Sequence, residues 1–180
     1  ITFACIGNIA KTNMRILVAW SKILERVPNS KLVVRSISFS DPAAQNEFSM
    51  QLKSANIDSN RVELLGPVSA KDYFASYNDV DIVLDTYPFN GGTTSCFAAY
   101  MGVPIVTWAG HSLISRMGQS ILGNLGLSDW VTFDEPSYVD RAVTGAQDIP
   151  FLQRFRLEGR EIFQRSALGN HQRNAGGLDL

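Results

Sequence analysis

Two hydrophobic patterns alternate along the chain. Short apolar runs rich in β-branched and aromatic residues are typical of buried strands, whereas apolar residues that recur every three to four positions are typical of amphipathic helices. The first pattern predicts strands over residues 1–6, 31–37, 62–65, 81–84, 104–108 and 130–133. The second predicts helices over residues 14–27, 42–55, 70–77, 93–101, 115–125, 138–146 and 149–165. Strands that alternate with helices predict βαβ units and a parallel sheet covered on both faces.

The extent of this pattern predicts one domain followed by a tail. We expect residues 1–168 to form a Rossmann-like, doubly wound α/β domain. Residues 169–180 lack periodicity and predict a disordered tail. Sheets of this kind bind ligands at the carboxyl ends of their strands, near the point where the strand order reverses. The loops after the strands are therefore the candidate binding segments, namely residues 7–12, 39–41, 66–71, 85–94 and 109–116.

One of these loops carries the strongest signal, the segment Asp85-Thr-Tyr-Pro-Phe-Asn90-Gly-Gly-Thr-Thr94. Gly91 and Gly92 allow the backbone to approach a ligand closely. A helix that begins at Thr93 offers free N–H groups and a dipole that favour an anion, and the hydroxyls of Thr93 and Thr94 add donors. We include Asn90 among the candidate contacts. A glycine turn followed by a threonine N-cap would explain the same residues without a ligand.

Further candidates lie on loops at the same edge of the predicted sheet. Lys11 follows the first strand and can reach a diphosphate as a mobile point charge, while Asn8 could orient it or bond the same phosphate. Ser69 lies in the loop after the third strand. Arg116 opens a predicted helix, where it could bind phosphate or pair with Asp85. Each of these residues also has a purely structural interpretation.

Composition narrows the class of protein. A hydrophobic share of 45%, a charged share of 18% and a net charge of −1 are ordinary for a globular protein and predict no general attraction to nucleic acid. No apolar run approaches the roughly 20 residues that a membrane-spanning helix needs. Cys5 and Cys96 are too few for a disulfide framework and lack a metal-binding spacing. We therefore expect free thiols, a cytoplasmic location and no metal site.

Two further features concern the ends and the histidines. The chain begins Ile1-Thr2-Phe3, which enters a strand without an initiator Met or a signal peptide pattern, so we expect it to be part of a longer protein. His111 lies on a ligand-side loop and could act as an acid or base, although a loop histidine without chemistry is the commoner case. His171 falls in the predicted tail.

The loop of residues 85–94 and its surroundings resemble the sequences of a known family. The string Asp81-Ile-Val-Leu-Asp85-Thr-Tyr-Pro-Phe-Asn90-Gly-Gly-Thr-Thr94, then Gly102-Val-Pro-Ile-Val-Thr107 and Ser115-Arg116, is similar to the C-terminal catalytic lobe of bacterial-type O-GlcNAc transferases. Asn8, Lys11 and Trp20 have family-like spacing, as do Ile23-Leu24 and residues 27–30. The similarity extends from about residue 3 to residue 166.

This resemblance implies the C-terminal lobe of a GT-B glycosyltransferase that binds UDP-GlcNAc. The family inverts the anomeric centre, uses neither metal nor cofactor, modifies Ser and Thr of proteins, and recruits proteins through upstream tetratricopeptide repeats. By position, Lys11 is the catalytic residue and contacts the diphosphate. Other residues are expected to contact the UDP-sugar, either from the resemblance or from the loop positions described above. They are Asn8, Ser69, Tyr73, Asn90, Gly91, Gly92, Thr93, Thr94, Phe97 and Arg116. The isolated chain is expected to be inactive, because the acceptor groove and general base belong to upstream regions.

Three positions depart from the family. Phe97 stands where the family has an Asp that hydrogen-bonds the ribose, and a phenyl ring cannot accept that bond. Tyr73, or Phe74 if the alignment shifts by one residue, stands where the family favours His. Gly92 stands where some members have His. We expect the phosphate half of the site to be kept and the nucleoside half to be altered.

These departures keep other functions open. One is a degenerate, non-catalytic nucleotide-sugar-binding or interaction module derived from the same family. Another is a GT-B epimerase or retaining glycosyltransferase, which would use a pair of Glu residues around the equivalent loop and helix. Phe97 occupies the second position of that pair and argues against it. The sugar and the acceptor protein are not determined by these residues.

Overall fold

Six short strands form one parallel sheet in the computed structural model, which describes residues 1–170. The strands are β1 (Thr2–Ile6), β2 (Lys31–Arg35), β3 (Val62–Leu65), β4 (Ile82–Leu84), β5 (Ile105–Trp108) and β6 (Val131–Thr132). Their order is β3-β2-β1-β4-β5-β6, with every neighbouring pair parallel. The predicted doubly wound, Rossmann-like sheet is confirmed, and the strand order reverses between β1 and β4.

Seven α-helices connect and cover the strands of residues 1–170. They are α1 (Met14–Arg26), α2 (Pro42–Ser54), α3 (Ala70–Ala75), α4 (Thr93–Tyr100), α5 (Met117–Asn124), α6 (Glu135–Gln147) and α7 (Ile149–Arg165). In doubly wound sheets, right-handed crossovers generally direct the units on either side of the first strand to opposite faces. α6 packs on α1, and α7 packs on α4. Every predicted helix is present.

Two helix starts differ from the prediction because local hydrogen bonds decide them. The helix expected from residue 115 begins at Met117, since Leu113–Ser115 forms a 3-10 turn. The helix expected from residue 138 begins at Glu135. There the Asp134 carboxylate accepts a hydrogen bond from the Ser137 amide at 2.8 Å and caps the first turn. Apolar periodicity carries no information about either arrangement.

Buried aromatic rings connect α1 and α6 to the sheet. Trp20 and Tyr138 are fully buried, and the Trp20 indole Nε1 donates to the Tyr138 hydroxyl at 3.3 Å. The Tyr138 hydroxyl in turn donates to the carbonyl oxygen of Asp85 at 2.9 Å. The core therefore extends directly to the end of β4, where the candidate site begins.

The end of the chain is described only in part. The amides of Gly169 and Asn170 each donate to the Ser166 carbonyl, at 3.2 and 3.1 Å. Most of the predicted tail, residues 171–180 with His171, lies outside the described residues.

Candidate functional site

The loops after β1 and β4 enclose a small cleft at the point where the strand order reverses. The cleft has a volume of about 100 Å³ and lies between Gly7, Asn8 and Lys11 on one side and Asp85, Gly91 and Thr94 on the other. Parallel strands that diverge at this point leave a crevice at their carboxyl ends, which is where doubly wound sheets bind ligands. The structure thus brings together the two loops that the sequence identified separately.

Lys11 projects its ammonium group into this cleft. The Nζ atom donates to the Asn90 carbonyl oxygen at 3.1 Å and lies 4.1 Å from the centroid of the Phe89 ring. An ammonium group has three donors, so two are left for a ligand. No carboxylate within residues 1–170 forms an ion pair with Lys11. The side chain is therefore held in place and keeps its positive charge available to an anion.

Asp85 organises the loop after β4. Its carboxylate is buried and accepts hydrogen bonds from the amides of Gly91 at 2.6 Å and Thr86 at 2.9 Å, and from the Thr107 hydroxyl at 2.6 Å. Burial raises the pKa of Asp85 to about 6, against the opposing effects of these hydrogen bonds and of Lys11. The carboxylate thus holds the loop against the strand, and both of its oxygens accept hydrogen bonds from the protein.

Asn90 and Gly91 complete this bend. The Asn90 side chain is fully buried, where its Nδ2 donates to the carbonyls of Thr86 at 2.8 Å and Trp108 at 3.2 Å. The polar group of Asn90 that faces Lys11 is its backbone carbonyl. A Cβ at Gly91 would lie 2.3 Å from the Ser95 hydroxyl, so only glycine fits there without a shift. The structure places both residues as supports of the cleft.

The first turn of α4 closes the cleft. Gly92 occupies the N-cap position and provides no side-chain cap; the Ser95 amide donates to the Gly92 carbonyl at 3.1 Å, while the amides of Thr93 and Thr94 precede the first intrahelical hydrogen bond. Thr94 lines the cleft, whereas Thr93 is exposed beside it. The uncapped amides and the helix dipole produce a positive potential opposite Lys11.

A larger cavity of about 680 Å³ adjoins the cleft and shares Ile6, Gly7, Asn8 and Thr94 with it. Its volume is typical of a small-molecule site. The other lining residues come from the ends of β2 and β3 and from α3 and α4: Arg35, Ser36, Ile37, Ser38, Pro67, Val68, Ala70, Tyr73, Phe74 and Phe97.

Aromatic rings form one wall of this cavity. The Phe97 ring packs edge-on against Phe74 with centroids 5.0 Å apart, and against Tyr73 at 6.2 Å. The Tyr73 hydroxyl lies 3.1 Å from the hydroxyl of Tyr77, whose pKa is raised chiefly by burial. Tyr73 and Phe74, the two alternatives for one family position, therefore both contribute to the wall.

Other candidate residues have local structural roles. The Asn8 side-chain oxygen accepts from the Ala10 amide at 2.9 Å and caps a 3-10 turn, so it does not orient Lys11. The Ser69 hydroxyl caps α3 by accepting from the Asp72 amide at 3.2 Å. Arg116 is exposed and its Nε donates to Gln119 at 3.3 Å. The predicted alternative of an Arg116–Asp85 pair is wrong, because Asp85 is enclosed by Gly91, Thr86 and Thr107.

Sequence reasoning missed several residues of the site. Arg35 ends β2 and Ser36 follows it; both line the larger cavity, ahead of the predicted binding loop at residues 39–41. Asn13 caps α1 and donates from Nδ2 to the Tyr87 carbonyl at 2.6 Å, which joins the two loops of the cleft. An Asn directly before a helix signals a cap, but its second contact spans 74 residues and leaves no local trace.

Some groups near the site are unreactive or absent. Burial raises the pKa of the Cys5 thiol, which lines the small cleft, to about 12. His111 is exposed and lines neither cavity.

Within residues 1–170, no cluster of three or more His, Cys, Asp or Glu side chains could hold a metal ion. Over the same residues, no helix has the length and apolar character to cross a membrane.

The strand order and the crevice at its reversal define the class of this domain, a Rossmann-like lobe of the GT-B glycosyltransferase type. The chain belongs to glycosyl transferase family 41, whose model matches residues 1–178. The predicted family and fold are thereby confirmed.

Curated relatives support this assignment. The chain is 36% identical over 180 residues to the probable UDP-N-acetylglucosamine–peptide N-acetylglucosaminyltransferase SPINDLY of Arabidopsis thaliana, covering 99% of this chain and 20% of that protein. It is 27% identical to the probable enzyme of the same activity called SEC from Arabidopsis thaliana, covering 88% of this chain and 16% of that protein. The chain thus spans about a fifth of the length of these relatives.

Solved structures agree. The K341M mutant of the Thermobaculum terrenum O-GlcNAc transferase superposes with a TM-score of 0.88 at 30% identity, covering 97% of this chain and 33% of that chain. Sucrose-phosphate synthase from Thermosynechococcus elongatus superposes with a TM-score of 0.69 at 15% identity, covering 97% of this chain and 42% of that one. The second similarity concerns the fold alone.

Proposed function

We propose that this chain is the donor-binding lobe of an inverting, metal-independent enzyme that transfers GlcNAc from UDP-GlcNAc to Ser or Thr of proteins. The observation that carries the proposal is Lys11, whose ammonium group faces the uncapped start of α4 across a phosphate-sized cleft. The printed names of the relatives supply the donor and the acceptor class.

In this proposal the diphosphate of the donor occupies the small cleft. Lys11 and the amides at the start of α4 stabilise the negative charge that develops on the departing UDP. Hydrogen bonds within the protein position these groups, because Lys11 donates to the Asn90 carbonyl and the Asp85 carboxylate accepts from the Gly91 amide. Preorganised donors of this kind require little rearrangement during reaction, and they would supply the charge that a metal ion supplies in other transferases.

The remaining parts of the proposal concern the whole protein. Upstream regions would supply the acceptor groove, the general base and the tetratricopeptide repeats that recruit protein partners. The free thiols of Cys5 and Cys96 support a cytoplasmic location. No nucleic acid and no cofactor is required.

A calorimetric titration of the 180-residue chain with UDP tests the donor site. We expect micromolar binding that Lys11→Ala weakens by roughly 10- to 100-fold, the value of a hydrogen bond to a charged group. Lys53→Ala is the matched control, because Lys53 is exposed in the last turn of α2. Equal loss in both variants, or tighter binding of GDP than of UDP, would contradict the proposal.

Phe97 favours a second candidate, a non-catalytic nucleotide-sugar-binding or interaction module. Phe97 presents a phenyl ring to the larger cavity and offers a nucleoside no hydrogen bond. Micromolar UDP binding that Phe97→Asp tightens would support an altered but functional donor site. Undetectable binding of UDP by the complete protein would favour the interaction module.

A further inference from the structure

The larger cavity offers a ligand no negatively charged acceptor. Among its lining residues there is neither Asp nor Glu, and Arg35 is the one charged side chain. The Arg35 guanidinium donates from Nη1 to the Gly66 carbonyl at 2.8 Å, and its Nε is buried without a partner. The cavity therefore combines aromatic faces with one cationic side chain and has no carboxylate.

The neutral acceptors of the cavity are largely engaged within the protein. The side-chain oxygen of Asn8 caps a 3-10 turn, and the Ser36 hydroxyl accepts from the Ser38 amide at 3.3 Å. The Tyr73 hydroxyl is paired with that of Tyr77. The hydroxyls of Ser38 and Thr94 are the other side-chain oxygens of the lining, and both are uncharged.

The position of a bound ribose follows from the proposed function, on which this inference rests. A ribose connects the diphosphate to the base, so it lies where the small cleft meets the larger cavity, beside Gly7 and Thr94. Phe97 is one helical turn beyond Thr93 on α4 and lines the larger cavity, as Thr94 does. Nucleotide sites commonly place a carboxylate on the ribose 2′-hydroxyl. The lining of the larger cavity has no carboxylate, and a ribose bound there would meet the phenyl ring of Phe97 instead.

We propose that Phe97 removes the dependence of donor binding on the ribose 2′-hydroxyl. The site then accepts 2′-deoxynucleoside diphosphates and their sugars about as well as the ribonucleotide forms. The aromatic wall contributes contact area that does not depend on a hydroxyl, because stacking and edge contacts involve ring atoms.

The test compares UDP with 2′-deoxy-UDP by calorimetric titration of the 180-residue chain. We expect the ratio of the two dissociation constants to stay below roughly 3, because no charged hydrogen bond to the 2′-hydroxyl is lost. Phe97→Asp introduces a carboxylate, and we expect it to raise the ratio to roughly 10 or more. Phe97→Leu keeps an apolar side chain without a carboxylate and is expected to leave the ratio unchanged.

The outcomes separate this proposal from the proposed function. If the unmodified chain binds UDP at least tenfold more tightly than 2′-deoxy-UDP, the proposed role of Phe97 is wrong while the donor site stands. If neither nucleotide binds, the donor site itself is wrong and the inference falls with it. The ratio in the unmodified chain decides the question even where Phe97→Asp does not fold.

Discussion

At the scale of single residues, Asp85 connects protonation to the shape of the cleft. The carboxylate holds Gly91 and Thr107, and burial raises its pKa to about 6 from an ordinary 3.8. A proton on this group removes a charged acceptor and weakens the bond that keeps Gly91 against the strand. The cleft therefore depends on a group that titrates near physiological pH.

We expect the affinity of the chain for UDP-GlcNAc to fall roughly tenfold as the pH decreases from 7.5 to 5. UDP-GlcNAc is the appropriate probe because its diphosphate is a diester, which does not titrate in this range. Asp85→Asn carries no titrating group, so its affinity should resemble that of the unmodified chain at pH 5 and vary little with pH. An unchanged pH dependence in Asp85→Asn would show that another group is responsible.

The same residue affects folding with the opposite sign. Since the folded-state pKa lies above the ordinary value, the folded chain binds this proton more tightly than the unfolded chain does. The contribution of Asp85 to the free energy of unfolding therefore rises as the pH falls from about 6 to about 4, and is lost as the pH rises through the same interval. Acid thus favours the fold at this position while it disturbs the cleft.

At the scale of elements, α5 approaches the strand ends more closely than a side chain would permit. A Cβ on Gly118 would lie 2.1 Å from the Thr107 hydroxyl and 2.7 Å from Oδ2 of Asp85. Gly118 is buried, and its amide also faces the side-chain oxygen of Asn90 at 3.4 Å. The helix α5 therefore packs against Asp85 and Asn90, the two residues whose side chains shape the loop of residues 85–94.

We expect Gly118→Ala to lower the free energy of unfolding by about 1–3 kcal/mol, because the added methyl group overpacks the Asp85–Thr107 contact. Gly123→Ala in the same helix is the matched control. A Cβ at Gly123 meets nothing within 4 Å, so that change should be neutral or stabilise by up to about 1 kcal/mol. Urea unfolding of the three proteins measures the difference, and similar effects of both substitutions would argue against the close approach.

At the scale of the whole molecule, the site faces outward from one lobe. The cleft and the larger cavity open at the carboxyl edge of the sheet, and the residues that line them belong to the strand ends and the loops and helix starts at that edge. The chain spans about a fifth of its curated relatives. In the proposed function this lobe binds the donor, and a transfer reaction also needs an acceptor and a base opposite to it.

We expect the purified 180-residue chain to bind UDP-GlcNAc without transferring GlcNAc to Ser- or Thr-containing peptides. Radiolabelled transfer measured over hours, together with calorimetric binding on the same preparation, distinguishes inactivity from loss of folding. Transfer by this chain that Lys11→Ala abolishes would contradict the expectation and would place the whole reaction within this lobe.

The sequence by itself determined the class of the fold and the location of the cleft. Apolar runs fix the strands, because a buried parallel strand needs hydrophobic side chains on both faces, and the helical stripes fix the helices for the same reason. Gly91 and Gly92 could be identified because two adjacent glycines precede a predicted helix, and Lys11 because it follows the first strand at the same edge of the sheet. The aromatic substitution at Phe97 was also visible in the sequence.

Only the tertiary structure decided which polar side chains form hydrogen bonds within the protein around the cleft. The sequence indicates Asn90, Ser69 and Asn8 as ligand contacts; in the structure the buried Asn90 side chain donates to backbone carbonyls, and the side-chain oxygens of Ser69 and Asn8 accept from amides of local turns. Arg35 and Asn13 gave no such signal, since their importance comes from neighbours far along the chain. Hydrogen bonds between distant loops depend on strand order and packing, which a linear pattern of residue types does not contain.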